Sequence, residues 1–173
     1  MSIESITGEF PAFAKDIKLN LSAVLKPQQG LSQTEIAGIA LACGYSTQSG
    51  PLITALEAQT RDSIDDATRD AAKAAATIMA MTNVYYRFTH LVNDDDYARL
   101  PAGLRMNILA NPGVDKILFE QMSLAVSALS GCGQCINAHV KQLHDAGMSK
   151  TGIAHVIRIA AVINATAQAF AIN

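Results

Sequence analysis

The chain has 173 residues, of which 50% are hydrophobic and 16% are charged, and its formal net charge is −2. This composition excludes a disordered chain, and the absence of a basic excess gives nucleic-acid binding no electrostatic support. Abundant alanine, no tryptophan and few aromatic residues favour close-packed helices over a β-sandwich. The length suits one domain with a core, so we predict a single compact all-α domain over residues 1–173.

The first half of the chain predicts helices, because apolar residues recur at threes and fours. Residues 26–30 predict a loop after a first helix. Ser32 and Glu35 have the spacing of a capping box, which predicts a helix that Gly44 ends. Residues 49–51, Ser-Gly-Pro, predict the start of a short helix with proline in its first turn.

The longest predicted helix covers residues 64–91 and is rich in alanine, methionine and tyrosine. Its pattern predicts a break or bend near Thr82 and Asn83. The segment from Asn93 to Asp96 predicts an acidic loop, and Asn-Pro-Gly at 111–113 predicts a turn.

The last part of the chain predicts three helices. The first covers residues 114–128, the second begins at the C-x-x-C after a break at 130–131, and Ser149 caps the third. Residues 152–172 are the most apolar segment, but polar residues interrupt it, so we predict a core or interface helix and no membrane span.

The amino-terminal segment carries Glu4 and Glu9 and lacks a basic start followed by an apolar run, so we predict no signal peptide and a cytoplasmic location. In that compartment a C-x-x-C is more often catalytic or metal-binding than a structural disulfide.

The most informative motif is Ser130 to His139, which contains Cys132 and Cys135 in a C-x-x-C spacing and His139 four residues later. On a helix these three positions share one face. Two thiols that can join, with an imidazole beside one of them, are the parts of a thiol redox site. A free thiol has a pKa of about 8.5, and reduction of a peroxide also needs a proton donor, a role that His139 is placed to fill.

Glu120 lies on the apolar stripe of the preceding predicted helix, where a carboxylate is costly unless it is paired. A histidine or a thiol on the next helix would be such a partner. The alternative is a solvated carboxylate at the edge of the stripe. Because Cys132, Cys135 and His139 lie on the following predicted helix, we favour the functional interpretation, in which Glu120 has a partner and takes part in proton exchange.

Two other interpretations of the cysteines stay open. They could be buried core residues, although the flanking Gly131, Gly133 and Gln134 argue against tight burial. Alternatively, both cysteines, His139 and Glu120 could bind zinc. Structural zinc sites usually draw on two separated pairs, and the sequence has no second pair, so we rank zinc below redox chemistry and predict no metal.

The remaining chemically active residues predict structural roles. Cys43 lies in an apolar helix and is predicted to be core, and His90 and His155 are predicted to be structural. His144 falls on the other side of the C-x-x-C helix. No nucleotide- or flavin-binding motif is present, so a nicotinamide or flavin electron source would belong to a partner protein.

The chain resembles the alkyl hydroperoxidase D (AhpD) family of the carboxymuconolactone decarboxylase-like superfamily. The resemblance rests on Glu120, Cys132-x-x-Cys135 and His139, and extends over AKDIKLNL at 14–21, MTNVYYR at 81–87 and LRMNILANPG at 104–113.

The resemblance implies an all-helical fold that assembles as a homotrimer, with antioxidant peroxidase activity. It implies that Cys135 is oxidised to the sulfenic acid, or forms a mixed disulfide with a peroxiredoxin of the alkyl hydroperoxide reductase C type. Cys132 would donate a proton and close the Cys132–Cys135 disulfide, and Glu120 and His139 would form a proton relay. No bound cofactor is implied. The reductant would be dihydrolipoamide on a lipoyl-bearing dehydrogenase component, recharged by lipoamide dehydrogenase.

One residue departs from the family pattern. Well-known members have a histidine between the two cysteines, where this chain has Gln134, which hydrogen-bonds but does not titrate. Two alternatives from other classes remain: a cofactor-free decarboxylase-like enzyme, which needs no dithiol, and a non-enzymatic zinc-binding assembly protein.

Overall fold

The structure is a computed structural model that describes residues 8, 10–92 and 94–172. Most of the amino-terminal segment, for which the sequence predicts no signal peptide, lies outside these residues. The described residues form eight α-helices and no β-strand. The helices are α1 Lys15–Val24, α2 Gln33–Thr47, α3 Gly50–Thr60, α4 Asp66–Leu91, α5 Asp95–Arg99, α6 Lys116–Ser130, α7 Gly133–Asp145 and α8 Lys150–Ala171. Two 3₁₀ turns, Ala12–Ala14 and Asn107–Leu109, complete the described structure. The all-α prediction is confirmed.

The helix starts follow the capping residues that the sequence predicts. The Ser32 hydroxyl accepts from the Glu35 N–H, and the Glu35 carboxylate accepts from the Ser32 N–H, so the capping box is present. Ser49 precedes α3 with proline in the first turn, and the Ser149 hydroxyl accepts from the Gly152 N–H at the start of α8.

Three predictions about where helices end or break are wrong in whole or in part. Helix α2 passes through Gly44 and ends at Thr47, followed by Gln48 in the left-handed region with φ 58°. Helix α4 continues without a break through Thr82, whose hydroxyl donates to the Ile78 carbonyl; the alternative of a bend there stays a prediction. The predicted acidic loop contains the start of α5, since the Asp94 carboxylate caps the Asp96 N–H; Asn93 lies outside the described residues.

Helices α2 and α6 form the centre of the bundle. Helix α2 packs against α3, α4, α6 and α8, and α6 packs against α2, α4, α7 and α8. Leucine, isoleucine and alanine fill the space between them, and Phe119 and Met122 of α6 are fully buried. Because α6 is fixed by four neighbours, the side chains that it directs toward α7 have a rigid base.

Helix α8 is long and apolar enough to cross a membrane by length and composition, with a mean hydropathy of 1.4 in its most apolar window. Its buried face, which includes Ile153, Ile159 and Ile163, belongs to the core, and the helix packs against α1, α2 and α6. The same composition is found in core helices of helical domains. The packing therefore supports the predicted core helix.

Candidate active site

The turn between α6 and α7 is built by local backbone contacts. Gly131 adopts φ 67°, a left-handed conformation that suits glycine, and ends α6. The Cys132 N–H donates to the Ser127 carbonyl at 3.2 Å. From α4, the Arg87 guanidinium donates to the Ser130 carbonyl at 2.7 Å, where its positive charge complements the carboxyl end of α6. These contacts fix the position at which α7 begins.

Cys132 and Cys135 are joined in a disulfide, with their Cα atoms 5.3 Å apart. Cys132 is the N-cap of α7, and its Sγ accepts from the Cys135 N–H at 3.3 Å. Cys132 is completely buried, whereas Cys135 is 7% exposed. The sequence placed the C-x-x-C at the amino end of a helix, and the structure agrees.

Glu120 and His139 form a direct pair between α6 and α7. The Glu120 Oε2 lies 2.6 Å from the His139 Nδ1, and their side chains are 20% and 14% exposed. The carboxylate therefore has a partner, and the alternative of a solvated residue at the edge of the stripe does not describe it. Cys135 lies one helical turn before His139 on the same face of α7, a spacing that brings side chains to about 6 Å.

The pair determines how the imidazole can act. When Glu120 accepts a hydrogen bond from the Nδ1–H of His139, the Nε2 of His139 is left as the atom that takes or gives a proton. The carboxylate also stabilises the imidazolium that forms when Nε2 is protonated. This arrangement can move a proton to or from a thiol one turn away, directly or through a water molecule.

The other flank of the C-x-x-C faces the end of α4. The Thr89 hydroxyl donates to the Gln134 Oε1 at 3.4 Å. The His90 Nε2 lies 4.0 Å from the position that a Cβ on Gly133 would occupy. His90 is exposed, and the structural role that the sequence predicts for it stays a prediction. Sequence reasoning missed this flank, because no spacing rule links residues 45 positions apart.

The other predicted residues lie away from the pair. Cys43 is fully buried in the core, and burial raises the pKa of its thiol far above the ordinary range. His155 is 1% exposed, and among the described residues neither of its ring nitrogens has a hydrogen-bond partner of good geometry. Desolvation lowers the pKa of His155, nearby Arg158 lowers it further, and the Val24 backbone opposes them. His144 is exposed near the end of α7.

Within residues 10–92 and 94–172, no group of three or more histidine, cysteine, aspartate or glutamate side chains is arranged to hold a metal ion. Cys132 and Cys135 bind each other, and sulfur atoms in a disulfide are not the thiolates that zinc requires.

Comparison with known proteins agrees with this geometry. Residues 95–172 match the carboxymuconolactone decarboxylase family. A protein of Azorhizobium caulinodans named alkyl hydroperoxide reductase AhpD is 52% identical over 98% of this chain and 93% of its own length. Proteins of the same name from Coxiella burnetii and Rhodopseudomonas palustris are 54% and 48% identical, over 96% of this chain and 95% and 92% of their own lengths. At this identity and coverage, the chain belongs to the AhpD family, within the carboxymuconolactone decarboxylase-like superfamily.

Proposed function

We propose that this protein is a thiol-dependent alkyl hydroperoxide reductase with antioxidant activity. The observation that carries the proposal is the Cys132–Cys135 disulfide, one helical turn from the paired Glu120 and His139. A dithiol alone suits disulfide exchange, whereas an adjacent proton donor and acceptor suits cleavage of an O–O bond. The names of the relatives support the same activity.

In the first step, the thiolate of Cys135 attacks the terminal oxygen of the hydroperoxide ROOH. An S–O bond forms, the O–O bond breaks, and the alkoxide takes one proton to leave as the alcohol ROH. The sulfur is oxidised to a sulfenic acid and the peroxide is reduced. His139 is the base that receives the thiol proton and the acid that returns it to the alkoxide, and Glu120 stabilises the imidazolium between these events.

In the second step, the thiol of Cys132 attacks the sulfur of the sulfenic acid at Cys135, and the disulfide forms as water leaves. A dithiol then reduces the disulfide by exchange through a mixed disulfide and is itself oxidised. We assign the reductant to dihydrolipoamide on a lipoyl-bearing dehydrogenase component, which lipoamide dehydrogenase recharges. The two cysteines thereby return to thiols, and the cycle balances with one dithiol oxidised per peroxide reduced.

The exposure of the two cysteines supports the roles proposed for them. We assign the first contact with peroxide to Cys135, since Cys135 is 7% exposed whereas Cys132, the N-cap of α7, is completely buried. Burial suits a resolving thiol, because it protects Cys132 from reagents other than the sulfenic acid of Cys135. The Cys135 sulfur would also form the mixed disulfide if electrons pass to a partner peroxiredoxin of the alkyl hydroperoxide reductase C type.

The assembly and location complete the proposal. We assign the protein to the cytoplasm as a homotrimer. An exposed apolar surface on α4 and α5, which includes Val84, Phe88, Leu91 and Tyr97, is compatible with subunit contacts.

The test is oxidation of the reduced protein by one equivalent of cumene hydroperoxide, followed by mapping of disulfides by mass spectrometry. We expect a peroxide-dependent Cys132–Cys135 bond that dihydrolipoamide reopens. Cys135→Ser should abolish turnover, and Cys132→Ser should accumulate the sulfenic acid at Cys135. Cys43→Ala is the control for the third thiol and should retain both reactions. Thiols that stay reduced would contradict the peroxidase proposal.

Two further results would favour one of the alternative functions over the proposed peroxidase activity. Full activity on a lactone acid after replacement of both cysteines would favour a decarboxylase-like enzyme. Stoichiometric zinc in freshly purified protein, with thiols unreactive until chelation, would favour an assembly protein.

A further inference from the structure

A cavity of about 400 Å³ lies between α6 and α7, and the thiol chemistry alone does not use it. Glu120 and His139 form part of its wall. The rest of the wall is mainly apolar and includes Leu109, Ile117, Ala138 and Ala146. Its volume falls within the range of about 300–1,000 Å³ that is typical of small-molecule sites, which combine apolar walls with a few convergent polar groups.

The cavity continues the face of α7 on which Cys135 lies. Positions 135, 138, 139 and 142 of α7 follow helical spacing and form one stripe, and Ala146, the C-cap of the helix, lies at the end of that stripe. At a rise of about 1.5 Å per residue, the stripe covers about 4–16 Å from Cys135. A molecule whose reacting end is at Cys135 therefore meets the Glu120–His139 pair first and the apolar wall beyond it.

We propose that this cavity binds the unbranched hydrocarbon chain of the molecule that reacts at the cysteines. The inference rests on the proposed function and adds a site for the part of the substrate that does not react. A hydrocarbon chain suits the apolar wall, and the methylene stem of Lys116 extends that wall while its ammonium reaches solvent. A bound chain also excludes water from the Glu120–His139 pair, which strengthens their interaction.

Two molecules of the proposed cycle carry such a chain: a linear alkyl hydroperoxide and the lipoyl group. Hydrogen peroxide and dithiothreitol perform the same two reactions without one. The ratio of kcat/KM for n-octyl hydroperoxide to that for hydrogen peroxide measures how much the alkyl chain of the hydroperoxide contributes. The ratio of the rate constants for disulfide reduction by dihydrolipoamide and by dithiothreitol measures how much the hydrocarbon chain of the lipoyl group contributes.

Ala138→Leu and Ala146→Leu would fill the cavity from its wall. Both alanines are exposed and leucine is a good helix former, so the folded chain should tolerate either change. Each methylene kept out of an apolar site lowers affinity about fourfold. We expect at least a tenfold fall in one or both ratios. The ratio that falls shows whether the cavity binds the hydrocarbon chain of the hydroperoxide, that of the lipoyl group, or both. Ala154→Leu, at an exposed position of α8, is the matched control and should change neither ratio.

Binding without reaction supplies an independent measurement. Octan-1-ol, added to the oxidised protein, should shift the amide signals of Ala138 and Ala146 in NMR spectra. Unchanged ratios in both variants, or no shift with octanol, would overturn the cavity proposal even if peroxide turnover is intact. Loss of turnover with every peroxide and dithiol in the wild-type protein would instead contradict the proposed function, while octanol binding would still support the cavity.

Discussion

Replacement of Glu120 tests whether the carboxylate supports the reactivity of Cys135 through His139. Glu120→Gln keeps the size of the side chain and removes its charge, and Glu120→Ala removes the contact. A hydrogen bond to a charged group contributes about 1.5–3 kcal/mol, against about 0.5–1.5 kcal/mol for a neutral one. The pair is mostly buried, at 20% and 14% exposure, so solvent weakens it little.

The magnitudes follow from these differences. Glutamine retains an acceptor for the His139 Nδ1–H but does not stabilise the imidazolium, so it should lose about 1.4 kcal/mol, which is about tenfold in rate. Alanine loses the whole interaction and frees the imidazole to rotate, so its kcat/KM should fall about 10- to 100-fold. The order of the variants, with alanine slower than glutamine, distinguishes loss of charge from loss of position.

The assay has two parts. Alkylation of the reduced protein by iodoacetamide between pH 6 and pH 9 reports formation of the Cys135 thiolate, and kcat/KM for cumene hydroperoxide reports the complete reaction. Asp70→Asn removes the same charge from a carboxylate that is 76% exposed on α4 and should stay within twofold of wild type. Wild-type alkylation profiles and turnover in both Glu120 variants would refute the relay, since the pair would then serve only to hold α6 against α7.

Two predictions concern stability. Gly44→Ala should lower the free energy of unfolding, measured by urea titration, by about 1–3 kcal/mol, because the new Cβ would lie 2.6 Å from the Leu56 Cδ1 in a packed core. Gly38→Ala should lower it less, since the new Cβ meets the end of the flexible Met122 side chain. A similar loss in both variants would contradict this reasoning. Burial lowers the pKa of His155 below its ordinary 6.5. The unfolded chain therefore binds more protons than the folded one, and stability falls as the pH drops from 7.5 to 5.5. His155→Leu removes this group and should make the fall in Tm over that range less steep. An unchanged slope would assign that pH dependence to other groups.

The sequence predicted the four residues of the candidate site from two local rules, which are helical spacing and the cost of an unpaired carboxylate. The i, i+3 and i+4 relations join Cys132, Cys135 and His139 on α7. Glu120 was identified because a carboxylate on an apolar stripe requires a partner. The structure adds the identity of that partner, which is the Nδ1 of His139. The spacing of residues within either helix does not specify how α6 and α7 pack against each other.

Two of the errors, at Gly44 and Asn83, share one cause, which is that tertiary contacts override local signals. Gly44 resembled a helix end, but it lies where α3 approaches α2 so closely that a Cβ would meet Leu56. Asn83 resembled a break, but it is 1% exposed and its Oδ1 accepts from the Ser127 hydroxyl on α6. A polar residue in a helix can be a contact with a neighbouring helix, and sequence alone does not distinguish that contact from a break.

The position of Gln134 can now be related to the rest of the site. At about 100° per residue, Gln134 and His139 lie about 140° apart around α7, with Cys135 between them. Gln134 faces Thr89 of α4, and His139 faces Glu120 of α6. A group at position 134 therefore acts from the opposite flank of the thiol and is not part of the Glu120–His139 pair. Because the pair is complete without it, the glutamine in this chain leaves the proposed proton pathway intact and alters only the α4 side of the approach to Cys135.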